Sequence, residues 1–221
     1  QSLEQAFVVT TTPRHPMKSS APSSLTDGAD YLLQRGITKA TQDVWGVFYD
    51  EKMRAAVIPC LWRSGKVVGT IRRQVEATAE PKYLYSPGFY KSKYLFGIAL
   101  YNPIPSENVY VVEGPIDCMW MWQCGYESTV ALLGCSMSLT QMSLLKKLSS
   151  QVVLCLDSDK EGKRATKKVA SKLIGEGFVV EVAQSLDGKK DVQEHTPSEV
   201  DDVIETRLPY LKWLIKEEKR R

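Results

Sequence analysis

From Val109 onward the chain repeats one rhythm, a short apolar run followed by a longer helical stretch. VYVV (109–112) precedes PIDCMWMWQCG, STVALLG (128–134) precedes SLTQMSLLKKLSS, QVVLCL (151–156) precedes EGKRATKKVASKLIGEG, and FVVEVAQ (178–184) closes the series. The runs are continuously apolar rather than alternating, which is what strands covered on both faces require. Strands alternating with helices predict a parallel sheet with right-handed crossovers. Punctuation agrees with the helices: Pro115 comes early and Gly125 late in the first, and Ser136 or Ser138 can cap the second. A further helical segment opens at Pro197.

The segment ahead of this rhythm reads differently. TTTPRHPMKSSAPSS makes residues 1–25 a linker or tail. YLLQRGI (31–37) is a short helix stopped by Gly36, and a second short helix fits 38–45. AAVIPCLW (55–62) and KVVGTIRR (66–73) are strand-like and joined by RSG, a hairpin signal. The expected organisation is a tail at 1–25, a small basic mixed α+β unit at 26–107, an α/β unit at 108–196 and a helical segment at 197–221.

The chain has 221 residues, 43% of them hydrophobic, and a net charge of only +3, so charge placement says more than the total. Arg63, Lys66, Arg72, Arg73, Lys82, Lys91 and Lys93 crowd one window with only Glu76 and Glu80 against them. A solvated surface is the plain alternative. Tyr83, Tyr85, Phe89 and Tyr90 interleave with these cations, a mixture that suits a single-stranded nucleic acid with its phosphates and base faces. The five cysteines, Cys60, Cys118, Cys124, Cys135 and Cys155, form no CxxC and read as buried thiols in a reducing compartment. His15 and His195 are the only histidines, so no zinc-finger spacing exists, and no apolar run is long enough to span a bilayer. The opening on Gln1 suggests a cut fragment.

The chemistry is concentrated where strands end. QVVLCL runs directly into Asp157 and Asp159. Two apart in extended chain, they face the same side and repel unless a cation lies between them or one is protonated. Asp159 could instead simply cap the next helix, with Asp157 solvated. A second strand end weighs against that: Glu113 follows VYVV, and Asp117 stands one helical turn further on. LLGCS gives a third strand end a small turn, and the fourth leads to Asp187 and Asp191. Parallel sheets bind ligands beyond such ends. Clustered hard oxygen ligands suit Mg²⁺ or Mn²⁺, and no nucleophile–base triad is visible. The implied chemistry is metal-assisted attack at phosphorus.

VVEGPIDC followed by LDSD, a Gly and a basic helix resembles the Toprim domain of primases, topoisomerases and some nucleases. PKYLYSPGFYKSKYLFG (81–97), VIPCLWRSGKVVGTIRR and YLLQRGI resemble the segments that precede Toprim in primases of the DnaG type, bacterial or bacteriophage. The resemblance covers about 26–195. It implies an α/β Toprim domain with a short parallel sheet flanked by helices, behind a small mixed α+β subdomain. It implies RNA primer synthesis on a single-stranded DNA template from ribonucleoside triphosphates, with Mg²⁺ or Mn²⁺ and no zinc in this chain. Glu113 would be a metal ligand or general base, Asp157 and Asp159 would hold metals, and Asp117 and Asp191 would assist. Lys82, Lys91 and Arg73, or its neighbour Arg72, would contact template or nucleotide phosphates. A replicative helicase, a zinc-binding module elsewhere and a cytoplasmic setting, in a bacterial cell or phage-infected host, belong to the same picture.

One departure stands out. Where bacterial primases carry Asp–Pro–Asp, this chain has Asp191–Val192–Gln193–Glu194, closer to phage primase–helicases, and Gln193 cannot be an anionic ligand. Two other readings remain open: a Toprim-type nuclease using the same acids, and a non-catalytic single-strand-binding module. In the last stretch, Leu208, Leu211, Leu214 and Ile215 fit one helical face expected to pack on the body.

Overall fold

The computed structural model describes residues 30–76, 78–102, 108–186 and 188–219. The tail predicted at 1–25 and the carboxylate Asp187 lie outside them. Helix α1 (Tyr31–Gln34) ends at Arg35 and Gly36, and Gly36 takes φ +78, the left-handed stop that a residue without a Cβ adopts freely. Helix α2 (Lys39–Val44) is capped by Thr38, whose hydroxyl accepts from the Thr41 N–H. Then come β1 (Phe48–Asp50), β2 (Ala55–Leu61), β3 (Val67–Gln74) and β4 (Tyr83–Tyr85), an antiparallel sheet in that order. The RSG turn makes the hairpin: the Trp62 N–H donates to the Lys66 carbonyl at 2.8 Å.

The second sheet is built as the rhythm predicts. Its elements are β5 (Val109–Val112), α3 (Pro115–Gln123), β6 (Thr129–Ala131), α4 (Leu139–Lys146), β7 (Gln151–Leu154), α5 (Lys160–Gly175) and β8 (Val179–Val182). Ser138 caps α4, accepting from the Gln141 N–H while Gln141 Oε1 accepts from the Ser138 N–H. Helix α6 (Pro197–Glu205), strand β9 (Leu208–Pro209) and helix α7 (Tyr210–Lys219) follow. The strand order is β6-β5-β7-β8-β9, parallel throughout except for β9. The antiparallel β9 departs from the expected all-parallel sheet; two residues, one of them proline, carry no strand periodicity.

Both faces of this sheet are buried, and the pleat divides them. Val109, Val111, Val152 and Leu154 face a core closed by α5, with Val169 and Leu173, and by Trp213 of α7. Tyr110, Val112 and Val153 face the other core, shared with Ile116 and Met119 of α3. Ala56, Ile58 and Ile71 of the antiparallel sheet belong to that same second core. The chain leaving the first sheet also pairs with the edge of the second: Phe96 and Ala131 exchange backbone hydrogen bonds at 3.0 and 2.9 Å. Gly97 makes the approach possible, since a Cβ there would stand 2.8 Å from Cys118 Sγ and 2.9 Å from the Thr129 carbonyl oxygen.

Two expectations are corrected. Cys60, Cys118 and Cys155 are buried, but Cys124 is half-buried and Cys135 exposed, because the LLGCS turn carries Cys135 out of the core. Helix α7 buries Tyr210, Trp213 and Glu217, whereas Leu211 and Ile215 are exposed and Leu208 lies in β9. The helix begins later than the apolar spacing implies. Its buried face also includes a carboxylate, which is paired with Lys163 at 2.8 Å. Among the described residues no helix is long and apolar enough to cross a membrane.

Candidate active site

The packing of the two sheets leaves a cleft of about 750 Å³ at the carboxyl ends of β5 and β7. Glu113, Asp117, Asp157 and Asp191 line one wall, and Arg73, Lys82, Tyr83, Tyr85 and Lys91 line the other. The carboxylates arrive by neighbouring strands. β5 pairs with β7, so the residues just past their ends lie side by side, and the Asp157 N–H donates to Glu113 Oε1 at 3.3 Å. Asp117 enters from the first turn of α3, where its Oδ2 accepts from the Gly114 N–H at 3.1 Å.

The DSDKEG stretch performs both roles considered for it. Asp159 caps α5, its Oδ1 accepting from the Gly162 N–H at 2.9 Å. Its Oδ2 and Oδ2 of Asp157 both lie 3.1 Å from the Lys190 ammonium. Gly162 is required for this closeness. A Cβ on it would stand 2.1 Å from the Asp157 carbonyl oxygen and 2.7 Å from the Asp157 Cβ.

Asp191 sits at the start of the short 3₁₀ turn Val192–Glu194 and accepts from the Glu194 N–H at 3.2 Å. Buried His195 braces this loop. Its Nε2 accepts from the Leu186 N–H at 3.1 Å, so Nδ1, 2.9 Å from the Asp191 carbonyl oxygen, carries the proton. Burial holds His195 below its usual range, consistent with a neutral ring. Gln193 points elsewhere, donating through Nε2 to the Arg35 carbonyl at 2.7 Å. Glu194 lines the cleft instead, so this loop offers carboxylates at 191 and 194 rather than at 191 and 193.

The carboxylates titrate abnormally for physical reasons. Burial, then the charge of Asp157, pushes Glu113 up to about 7. Burial and then the Asp191 charge raise Asp117, and burial and then the Glu194 charge raise Asp191. Asp157 is raised by burial against the opposing pull of Lys190. Asp159 alone is lowered, chiefly by the hydrogen bond from the Gly162 N–H.

On the basic wall the pleat separates two neighbours. Arg73 pairs with Tyr83 across β3 and β4, and its guanidinium lies 4.8 Å from that ring's centre; its Nε donates to the Tyr31 hydroxyl at 2.9 Å. Arg72 pairs with Leu84 on the opposite face and is not among the residues lining the cleft, which corrects its place beside Arg73. Lys91 reaches over the LLGCS turn, 5.1 Å from the Tyr85 ring centre. Lys93 covers the exposed Tyr90 at 4.7 Å, and Phe89 is buried. The aromatic faces expected to stack on bases are therefore largely taken by the protein's own cations or its core.

Arg35 and Lys190 were not singled out in the sequence. Arg35, at the end of α1, lines the cleft, lowers the carboxyls of Asp117 and Asp191, and has a buried Nε without a hydrogen-bond partner among the described residues. Its only sequence signal is a cation at a helix C-terminus before glycine. All the carboxylates are hard oxygen donors of the kind Mg²⁺ or Mn²⁺ takes. Among the described residues no three His, Cys, Asp or Glu side chains converge closely enough to hold a metal as they stand. The donor chemistry fits a divalent cation, and Lys190 already supplies a positive charge between Asp157 and Asp159.

Residues 110–196 match the Toprim-like family. This segment is a Toprim domain. The chain is 34% identical over 146 residues to the DNA primase of Clostridium acetobutylicum, a match covering 64% of this chain and 24% of that protein. The chain thus spans about a quarter of the length of that curated relative. The fold is similar to the zinc-binding and RNA polymerase domains of the Aquifex aeolicus primase, with TM-score 0.76 and 21% identity over 91% of this chain and 60% of that one. A DnaG primase catalytic domain bound to single-stranded DNA gives TM-score 0.69 and 21% identity, covering 85% of this chain and 75% of that one. The Toprim segment and the antiparallel sheet before it thus follow the primase catalytic-core fold.

Proposed function

We propose that the chain is the nucleotidyl-transferring core of a DNA primase, which joins ribonucleotides on a single-stranded DNA template. The observation that carries this reading is one cleft with two opposite walls. Carboxylates from two adjacent strand ends face Arg73 of β3, Lys82 just before β4 and Lys91 in the turn that follows that sheet. Residues 26–107 would supply the basic wall, residues 108–196 the acidic one and residues 197–221 a supporting helical segment. Phosphoryl transfer is mostly positioning and charge neutralisation, and this arrangement supplies both. Similarity to primases along the antiparallel sheet, and not only along the Toprim segment, supports polymerisation over the hydrolysis of a Toprim nuclease.

Asp157, Asp159 and Glu113 would hold a divalent cation, Mg²⁺ or Mn²⁺, with Asp117 and Asp191 behind them. When bound, it would neutralise the oxygens of the transferring phosphate. Glu113, beside the Asp157 N–H, would hold the cation or else take the proton of a 3′-hydroxyl. Arg73, braced by Tyr31 and Tyr83, and the exposed Lys82 and Lys91 would hold template or triphosphate. A replicative helicase and a zinc-binding template reader would be partners.

The test is ribonucleotide incorporation on a single-stranded template with Mg²⁺ or Mn²⁺, run beside a labelled single strand without nucleotides. Metal-dependent extension supports the primase reading. Shortening of the strand without extension would make it a nuclease, and metal-independent binding alone a single-strand-binding module.

A further inference from the structure

Lys190 is held in two different ways at once. Its backbone is locked to the paired aspartates' own loop. The Ser158 N–H donates to the Lys190 carbonyl at 2.7 Å, the Ser158 hydroxyl donates to the Lys189 carbonyl at 2.7 Å, and the Lys190 N–H donates to Glu194 Oε2 at 2.6 Å. Its side chain is 53% exposed and touches the site only through the ammonium, 3.1 Å from each aspartate. The tether is rigid and the charge on its end is free to swing. Lys189 points away and pairs with Glu199 in the first turn of α6, so only one of the two adjacent lysines serves the site.

We propose that the Lys190 ammonium is a built-in occupant of the cation position between Asp157 and Asp159, and that a divalent ion binds there only by displacing it. The reasoning is one of charge and space. Asp157 Oδ2 and Asp159 Oδ2 share a single cation, and an ammonium is a compact, strongly hydrated point charge on a flexible stem, suited to come and go. Held in place, it offsets the repulsion between the two carboxylates while no metal is bound. Displaced, it stays near the cleft that it already lines, since its backbone is anchored by these hydrogen bonds. The cost of expelling it is subtracted from metal affinity, so the aspartates bind a divalent ion more weakly than their charge alone allows. By linkage, whatever stability the ammonium lends the metal-free protein is what the metal must overcome.

The inference rests on the metal-site reading above, and the experiment separates the two. Mn²⁺ is titrated by calorimetry into the parent chain, Lys190→Met, Lys190→Gln, Lys189→Met and Asp157→Asn, with thermal unfolding of each in chelator and in saturating Mn²⁺. The expected result is about tenfold tighter Mn²⁺ binding by both Lys190 variants, which is about 1.4 kcal/mol. Both should melt below the parent in chelator and level with it in saturating Mn²⁺. Lys189→Met removes the same charge from the adjacent position and should change affinity less than twofold. Equal tightening by Lys189→Met and the Lys190 variants would mean a general field and overturn the proposal, as would unchanged affinity in the Lys190 variants. If Asp157→Asn abolishes binding while the Lys190 variants bind like the parent, the metal site stands and only the displacement idea falls. If Asp157→Asn binds Mn²⁺ like the parent, the metal-site reading itself fails and the displacement idea with it.

Discussion

The backbone N–H of Asp157 donates to Glu113 Oε1 across 3.3 Å, so the end of β7 holds the carboxylate delivered by β5. This contact joins the two strand ends into one site, and it leaves Glu113 flanked by an aspartate charge that raises it further.

Glu113 makes metal-free stability pH-dependent in a defined sense. Its ordinary value is 4.5 and its folded value about 7, so the folded chain binds the extra proton. That contribution is full below about 4.5 and is lost as pH rises through 7. In chelator, the parent should lose melting temperature relative to Glu113→Gln between pH 5 and pH 8. His195 works in the opposite sense at the acid end, but it is present in both proteins and cancels in the difference. A constant difference across that range would show that Glu113 is not perturbed.

The paired aspartates should respond oppositely to neutralisation. Asp157 is raised, so its charge is unfavourable in the metal-free fold, whereas Asp159 is lowered by its capping bond. At pH 8 in chelator, Asp157→Asn should be at least as stable as the parent. Asp159→Ala should lose about 0.5–2 kcal/mol as the cap of α5 disappears. Both should lose ribonucleotide incorporation. Chemical denaturation beside the extension assay checks all of these.

Gly162→Ala should cost about 1–3 kcal/mol and blunt the response of melting temperature to Mn²⁺. The added methyl meets the Asp157 carbonyl and Cβ, and the start of α5 cannot move away without taking Asp159 with it. An alanine variant with parental stability and an unchanged Mn²⁺ response would contradict the close approach.

The two arginines of β3 should separate in a salt titration of single-stranded DNA binding. Each phosphate contact removed lowers the slope of log affinity against log salt by about 0.7. Lys82→Ala with Lys91→Ala should lose about one to two units, and Arg73→Ala should lose slope as well. Arg72→Ala should leave it unchanged, since Arg72 faces away from the cleft beside Leu84.

The C-terminal helix gives a check on packing alone. Trp213→Ala should cost about 3–5 kcal/mol, because the ring is 2% exposed in the core behind the parallel sheet. Leu211→Ala, at an exposed position, should stay within about 0.5 kcal/mol in equilibrium unfolding.

What the sequence displayed and what it hid have physical causes. An apolar run that ends in charge is a local signal, so the ends of β5 and β7, the hairpin of β2 and β3 and the helix caps could all be read directly. Arg35 could not, because nothing near it in the chain says that the end of α1 will lie beside Asp117 and Asp191. Lys190 is hidden for another reason: a lysine in DGKKD looks like any solvated loop residue, and only the fold of the loop aims it at the aspartates. The face of α7 was misread because periodicity counts apolar residues, and that helix buries a glutamate paired with Lys163 while exposing Leu211 and Ile215. Arg72 and Arg73 are alike in composition, and only the pairing register of β3 with β4 tells them apart.

The core that joins the sheets carries a last implication. Ile58 and Ile71 lie in the same buried cluster as Val112 and Met119, and the Phe96–Ala131 pairing stitches one sheet to the rim of the other. Neither wall of the cleft can melt without exposing the other's interior. Acidic and basic walls therefore stand on one shared interior, and the gap between them is set by how that interior is packed.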